Sequence, residues 1–180
     1  GTPQPYDQAC RDALVWAVKA ARTPQTGQYY SGLTAFTAWV TSLERDAECQ
    51  GTAAEMRPRF DNHFFLSLTL AEGRAFAPEL LHMAAELRPD AREELDAASD
   101  CYHLIHDLMW RIWGTGGGMG VVDEATTRRF ADPAVRAELR RIIGVVCAKD
   151  AEAVMHIQRA LPAFNVAEGS LGKVSDYERA

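Results

Sequence analysis

The sequence predicts an all-α protein, folded as an antiparallel bundle of five to six helices. Apolar residues recur three and four positions apart over most of the 180 residues, which is the spacing of helices that bury one face. Alternation of apolar and polar residues, the pattern of a half-buried strand, is scarce. The breaks between the periodic segments are short and contain proline or glycine, as in bundles whose neighbouring helices run in opposite directions.

The first two predicted helices are separated by a polar loop. The first helix begins near Asp7 and ends before Thr23, because the proline at position 24 disfavours helical geometry in the residue ahead of it. Composition predicts a loop over 23–32. The second helix is expected from about Ser31 to Glu48. Its apolar stripe consists of Leu33, Phe36, Val40 and Leu43.

The third helix is expected to begin near Asp61, a residue type that commonly caps helices. A break between Gly51 and Pro58 precedes it. The pattern continues towards Leu87, and Pro78 predicts either a kink or a junction of two helices.

The fourth helix has the clearest pattern. It opens at Pro89 or Asp90 and is expected to end at Gly114, since glycine commonly follows the last turn of a helix. Its buried stripe consists of Leu95, Ala98, Tyr102, Ile105, Met109 and Ile112. A glycine-rich loop follows this fourth helix.

Two more helices follow that loop. Asp123 begins a short helix, and Asp132, with a proline directly after it, begins a long helix that runs to about Leu161. Periodicity is weak beyond that point. We therefore expect one helical domain over residues 1–161 and an irregular tail over residues 162–180.

Charge and hydropathy argue against two classes of partner. The net charge is −6, and the arginines between positions 128 and 141 alternate with acidic residues, so no basic stripe is available for nucleic acid. The apolar runs are too short to cross a bilayer, so we expect no membrane contact and a cytoplasmic location. Widely spaced cysteines, which such a location keeps as free thiols, occur at Cys10, Cys49, Cys101 and Cys147.

The glycine-rich segment over 110–120 reads WRIWGTGGGMG. A phosphate-binding loop would follow a strand, or would end in a Lys-Ser/Thr pair, and this segment does neither. Two interpretations stay open. The glycines form a connector that tolerates positive φ, or they form a mobile flap beside another domain's site.

A second stripe of side chains runs beside the core stripe of the fourth helix. It consists of His103, His106, Trp110 and Trp113, spaced at i, i+3, i+7 and i+10. Large aromatic residues anchor interfaces, so this stripe is a candidate surface for a ligand or partner. We include in that surface Gly116, Gly117 and Gly118. The alternative is that both indoles belong to the core.

Histidines on three different helices also allow a metal site. The candidate ligands are His63, His106 and His156, with Glu152 one helical turn before the last of them. Three imidazoles with an open fourth position suit a divalent metal, and small bundles of the DinB kind use such a set. The alternative is that each histidine is half-buried and hydrogen-bonded to a neighbour.

Three stretches carry a resemblance to a known family. They are YYSGLTAFTAWVTSLERD (29–46), DCYHLIHDLMWRIWG (100–114) and FADPAVRAELRRIIGVVCAKDAEAVMHIQRAL (130–161). Over roughly residues 9–161 the chain resembles the helical C-terminal region of bacterial proteins whose N-terminal half is papain-like. Those proteins are similar to the butirosin biosynthesis protein H group and to peptidases that process double-glycine leaders.

The resemblance implies an accessory role. The papain-like half, with its cysteine and histidine, is not in this sequence, so no catalytic residue of the family can be assigned here. We expect a helical module that packs against, caps or dimerises a papain-like hydrolase or acyltransferase domain and has no catalysis of its own. The alternative is a free-standing helical bundle that binds a metal or a small molecule.

Overall fold

The computed structural model describes residues 5–117, 123–167 and 171, and this part of the chain is all-α, as predicted. Its α-helices are α1 (Tyr6–Arg22), α2 (Gly32–Glu44), α3 (Ala53–Leu87), α4 (Arg92–Gly116), α5 (Glu124–Ala131) and α6 (Pro133–Ala160). Short 3-10 helices follow α2, α3 and α6; they are Asp46–Cys49, Pro89–Ala91 and Leu161–Phe164.

The helices form a bundle around α4. Helix α4 packs along α3 on one side and along α6 on the other, while α1 and α2 pack mainly against α6. The short turn Pro89–Ala91 joins α3 to α4, as in an antiparallel helical hairpin. Side chains with 0% exposure lie at the centre of the bundle, among them Leu95, Ile105, Met109, Ile112, Leu139 and Ile143.

A two-stranded hairpin occupies the segment that composition assigned to a loop. Strand β1 is Gln25–Thr26 and strand β2 is Tyr29–Tyr30, paired antiparallel. Gly27 has φ +59° at the turn, a conformation that glycine adopts without a steric penalty. The two tyrosines are 70% and 66% exposed, so the hairpin adds little to the core.

Helix α2 is four residues shorter than expected. It ends at Glu44 instead of Glu48. Arg136 of α6 explains the early end, because its Nε donates to the carbonyl of Leu43 at 3.1 Å and its guanidinium also pairs with Asp46. A side chain from a distant part of the sequence thereby satisfies one of the orphan carbonyls of the last turn.

Helix α3 begins at Ala53, so the predicted break is present at Gly51 and Thr52 but does not extend to Pro58, and the predicted start near Asp61 was wrong. A capping box sets the start. The Thr52 hydroxyl accepts from the backbone N–H of Glu55, and the Glu55 carboxylate accepts from the backbone N–H of Thr52 at 2.8 Å. The helix then continues through Pro58 and Pro78 as one element.

Helix α4 begins at Arg92, after the 3-10 turn Pro89–Ala91, and not at Pro89 or Asp90; it ends two residues later than expected. Gly114 is helical, Gly116 is the last helical residue, and Gly117 is the C-cap with φ +126°. The position that requires glycine's conformational freedom is therefore 117, not 114. The rest of the predicted glycine loop, including Gly118, lies outside the described residues.

The starts of α5 and α6 agree with prediction. The Asp123 side chain accepts from the backbone N–H of Thr126 at 2.8 Å, and that of Asp132 accepts from the backbone N–H of Ala134 at 2.8 Å. Pro133 then occupies the first turn of α6, where its missing N–H costs nothing.

The packed chain extends past the predicted domain boundary at residue 161. Phe164 and Leu171 are only 2% and 7% exposed and belong to the core. The guanidinium of Arg88 lies 5.4 Å from the centre of the Phe164 ring, and its Nε donates to the carbonyl of Ala163 at 2.9 Å. The first part of the predicted tail is thus fixed against the end of α3.

No helix among the described residues combines the length and the apolar character needed to cross a membrane.

Candidate functional site

Four aromatic side chains of α3 and α4 form a continuous surface, which we call the aromatic face. Its ring centres follow one another at 4.2 Å from Phe64 to Trp113, 5.0 Å from Trp113 to Trp110, and 6.1 Å from Trp110 to His106. Trp110 is 43% exposed, whereas the other three are half-buried. The predicted stripe therefore lies between core and solvent, with His103 exposed further along it.

His106 is fixed by two hydrogen bonds. Its Nδ1 lies 2.8 Å from the carbonyl oxygen of Ala71, and the indole N–H of Trp110 lies 3.1 Å from its Nε2. A carbonyl can only accept and an indole N–H can only donate, so Nδ1 donates and Nε2 accepts in these hydrogen bonds. Both ring nitrogens are occupied, which leaves no lone pair for a metal.

His63 is buried and 5% exposed. Its Nδ1 accepts from the indole N–H of Trp39 at 3.1 Å, and the ring of Phe130 packs with its centre 5.2 Å away. Nε2 is fully buried and has no hydrogen-bond partner among the described residues. Burial lowers the pKa of His63 to about 4, so the ring is neutral at neutral pH.

The remaining metal candidates form separate polar pairs. His156 Nδ1 lies 2.6 Å from Glu94 Oε2, which links α6 to α4. Glu152 accepts from Lys149 Nζ at 2.6 Å, and this hydrogen bond lowers the pKa of the carboxyl group.

The structure gives the metal hypothesis no support. Within the described ranges, no group of three or more His, Cys, Asp or Glu side chains is arranged to hold a metal ion. The physical reason is that His63, His106 and His156 each contact their own neighbours, namely Trp39, Trp110 and Glu94.

An apolar groove of about 480 Å³, which we call the groove, extends from α1 and α2 to α3, α4 and α6. Trp16 and Phe65 line it while remaining 62% and 63% exposed. The apolar lining also includes Phe36, Leu66, Leu70 and Val154. Exposed aromatic side chains beside a mostly apolar concavity are typical of a binding site.

An ion pair between two helices lies in the lining of the groove. Arg74 of α3 donates to Oδ1 of Asp150 on α6 from Nη2 at 2.8 Å and from Nε at 3.2 Å. The side chain of Asp150 is 5% exposed and that of Arg74 is 26% exposed. The guanidinium also lies 4.9 Å from the ring centre of Tyr102 on α4, so the cluster joins three helices.

Burial governs the ionisation of this cluster. It raises the pKa of the Asp150 carboxyl, although the neighbouring Arg74 acts to lower it. It also raises the pKa of Tyr102 to about 12, so the phenol stays neutral. Perturbed titratable groups in a concave apolar site mark a candidate functional site.

A second cavity, of about 410 Å³, lies beside the groove. It is lined by His63 and Phe130 together with Cys49 and Arg59. Trp39 lines both cavities, and its indole N–H is the donor to His63. Trp39 therefore contacts the buried histidine and also lines the groove.

The chain matches no protein-family model, and no curated protein or solved structure is significantly similar to it. The resemblance to the helical region of papain-like proteins stays a prediction.

Sequence reasoning missed the groove and its ion pair. One signal was present. In α6 the buried positions Ile142, Val146, Asp150, Val154 and Ile157 follow three-four spacing, and the aspartate is the charged member of that stripe. A carboxylate at a position that periodicity assigns to the core must have a partner, because burying an unpaired charge is costly. The spacing of residues along the sequence does not show which residue is that partner.

Proposed function

We propose that this chain is a small-molecule-binding helical bundle whose binding site is the groove. The observation that carries the proposal is the ion pair of the half-buried Arg74 with the buried Asp150 in the lining of an apolar concavity. Ligand sites are mostly apolar, contain a few precisely placed polar groups and measure roughly 300–1,000 Å³. The groove, at about 480 Å³, meets each of these conditions.

A contribution to the stability of the fold does not by itself explain why an ion pair lies at this position. The desolvation of two charges commonly offsets their attraction, and apolar residues of similar volume often replace a buried pair without loss. Arg74 and Asp150 lie among residues such as Leu66, Leu70 and Val154, where apolar replacements would pack. The position of Arg74 and Asp150 in the lining of the groove therefore favours a role in binding a ligand.

Binding of a neutral aromatic fragment tests this function. We expect indole at millimolar concentration to shift amide resonances of residues that line the groove. Replacing Ala35, a half-buried lining residue, with phenylalanine should fill the groove and abolish the shifts. The matched control is Ala137→Phe, on the exposed side of α6, which should leave them unchanged. Shifts that persist in Ala35→Phe, or that are absent from the unmodified chain, contradict the proposal.

We propose a second function on a different observation, namely that the aromatic face docks a partner domain. Trp110 is held by His106 and Trp113 packs against Phe64, so the surface is already ordered before a partner arrives. Preorganised aromatic anchors bind with a smaller loss of conformational entropy. The resemblance suggests a papain-like hydrolase or acyltransferase domain as the partner, and a second copy of the chain is the alternative.

The coding sequence and the aromatic face together test the docking proposal. A papain-like reading frame fused to this chain, or beside it, supports the proposal. A genomic neighbourhood without such a frame contradicts it.

Co-expressed with that domain, the unmodified chain should co-purify, and Trp110→Ala should not. Trp16→Ala, an exposed indole away from the face, is the control and should co-purify normally. A dilution series separates homodimers from this complex.

A further inference from the structure

Arg74 and Asp150 each retain a hydrogen-bonding atom that their ion pair does not use. Both hydrogen bonds of the pair end on Asp150 Oδ1 and come from Arg74 Nε and Nη2. Arg74 Nη1 and Asp150 Oδ2 make no hydrogen bond with the described residues. In that part of the chain, only His63 Nε2 and Arg140 Nε are fully buried polar side-chain atoms without a partner. The two unused atoms therefore keep contact with solvent, and both residues line the groove.

The charge of the pair selects among ligands. Arg74 and Asp150 together carry no net charge, and the neutral Tyr102 adds none. A ligand with one charge would leave that charge uncompensated in an apolar groove, which is unfavourable. A ligand without charge would make only neutral hydrogen bonds, which are about half as strong as charge-assisted ones. A zwitterion avoids both losses, because its ammonium suits Asp150 Oδ2 and its carboxylate suits Arg74 Nη1.

The apolar walls of the groove favour a ligand that has a large apolar part in addition to its two charges. Trp16 and Phe65 present large exposed rings, and Leu66 and Leu70 belong to the same apolar lining. Burial of such surface contributes roughly 25 cal/mol per Å². A zwitterion as small as glycine would leave these walls in contact with water.

We propose that the groove binds a free α-amino acid with a large apolar side chain. The ammonium group contacts Asp150, the carboxylate contacts Arg74, and the side chain packs against Trp16 and Phe65. This inference rests on the proposed ligand-binding function of the same groove and names its ligand class.

A matched set of four compounds tests the ligand class. L-phenylalanine has both charges and an apolar ring, phenethylamine has only the ammonium, 3-phenylpropanoate has only the carboxylate, and glycine has both charges without the ring. Calorimetric titration should give the tightest binding for L-phenylalanine. Each of the other three should bind at least about tenfold more weakly, which corresponds to about 1.4 kcal/mol. Equal or tighter binding of any of them overturns the proposal.

Charge variants supply a readout that a purely structural ion pair would not change. Asp150→Asn removes the carboxylate and should shift the preference towards 3-phenylpropanoate. Arg74→Met removes the guanidinium and should shift the preference towards phenethylamine. Glu138→Gln, in an exposed ion-pair cluster with Arg111 and Arg141, is the control and should keep the original preference. Unchanged preferences in both groove variants overturn the proposal.

Two outcomes separate this inference from the function on which it rests. If indole binds in the groove but L-phenylalanine does not, the ligand class is wrong and the binding function stands. If neither compound binds, both are wrong. Should the charge variants fail to fold, Trp16→Ala replaces them, because Trp16 is 62% exposed and is not needed for the core. It should weaken L-phenylalanine binding about tenfold, and unchanged affinity overturns the proposal.

Discussion

The imidazole of His63 and the backbone of Gly116 touch so closely that a Cβ atom at position 116 would lie 2.9 Å from His63 Nε2. The imidazole has little room to withdraw, because Trp39 holds its other nitrogen and Phe130 packs near its ring. Helices α3 and α4 therefore approach at this point only because residue 116 has no side chain.

Replacing Gly116 with alanine should destabilise the fold. We expect a loss of about 1–3 kcal/mol in the free energy of unfolding, as for overpacking elsewhere in cores. Gly114→Ala is the matched control, since Gly114 is helical and a Cβ there would meet nothing within 4 Å. That change should stabilise the protein by up to about 1 kcal/mol through helix propensity. Urea denaturation measures both, and a Gly116→Ala protein as stable as the original would contradict the contact.

His63 should make the stability depend on pH on the acid side. Its folded pKa of about 4 lies below the ordinary value of 6.5, so the unfolded chain binds the proton more readily. Stability from this group is fully present above pH 6.5 and declines as the pH falls towards 4. The loss amounts to about 3 kcal/mol, at 1.36 kcal/mol for each pKa unit.

The slope of stability against pH between 6.5 and 4 measures this effect. His63→Leu should flatten it, because the variant has no group that the unfolded chain protonates at this position. His103→Gln changes an exposed imidazole and should keep the slope of the unmodified protein. Identical slopes for the unmodified protein and His63→Leu would rule out a buried neutral imidazole.

The capping box makes Thr52 important to α3. Thr52→Ala removes the hydroxyl that accepts from the backbone N–H of Glu55, so we expect a loss of about 1 kcal/mol. Thr37→Ala, at an exposed site within α2, should be neutral or slightly stabilising. Thermal unfolding compares the two. If the helix began near Asp61, Thr52→Ala would leave the stability of the protein unchanged, and that result would contradict the observed start.

The four tryptophans should differ in accessibility to acrylamide. Their surroundings predict the order of quenching, with Trp16 (62% exposed) first, then Trp110 (43% exposed), then the half-buried Trp113, and Trp39 (8% exposed) last. Fluorescence of single-tryptophan variants gives the acrylamide quenching constant of each tryptophan separately. Shielding of Trp110 to the level of Trp39 at low concentration would show that the aromatic face is already covered.

Periodicity predicted the core of α4 because it encodes burial directly. The residues Leu95, Ile105, Met109 and Ile112 are all 0% exposed, as their spacing required. Local side-chain chemistry likewise predicted the caps at Asp123 and Asp132, whose partners lie three and two residues away, respectively. The start of α3 is also encoded locally, by the capping box of Thr52 and Glu55, but the start was predicted near Asp61.

Long-range contacts explain the remaining differences. The end of α2 depends on Arg136, which lies 93 residues beyond the carbonyl it binds. The ion pair of the groove joins residues 76 positions apart. No spacing rule connects such residues, because only the packing of separate helices brings them together. For the same reason, the presence of candidate metal ligands on three helices did not show that their side chains would meet at one site.

Pro78 has a consequence for the mobility of α3. In a helix the N–H of residue i+4 binds the carbonyl of residue i, and proline has no N–H, so the carbonyl of Arg74 lacks this donor. The ladder of protected amides is interrupted one turn beyond the arginine that pairs with Asp150. We therefore expect hydrogen exchange to divide α3 into two cooperative segments. A hinge at this turn would let the segment that carries Phe65 move relative to α6 without unwinding the C-terminal part of the helix.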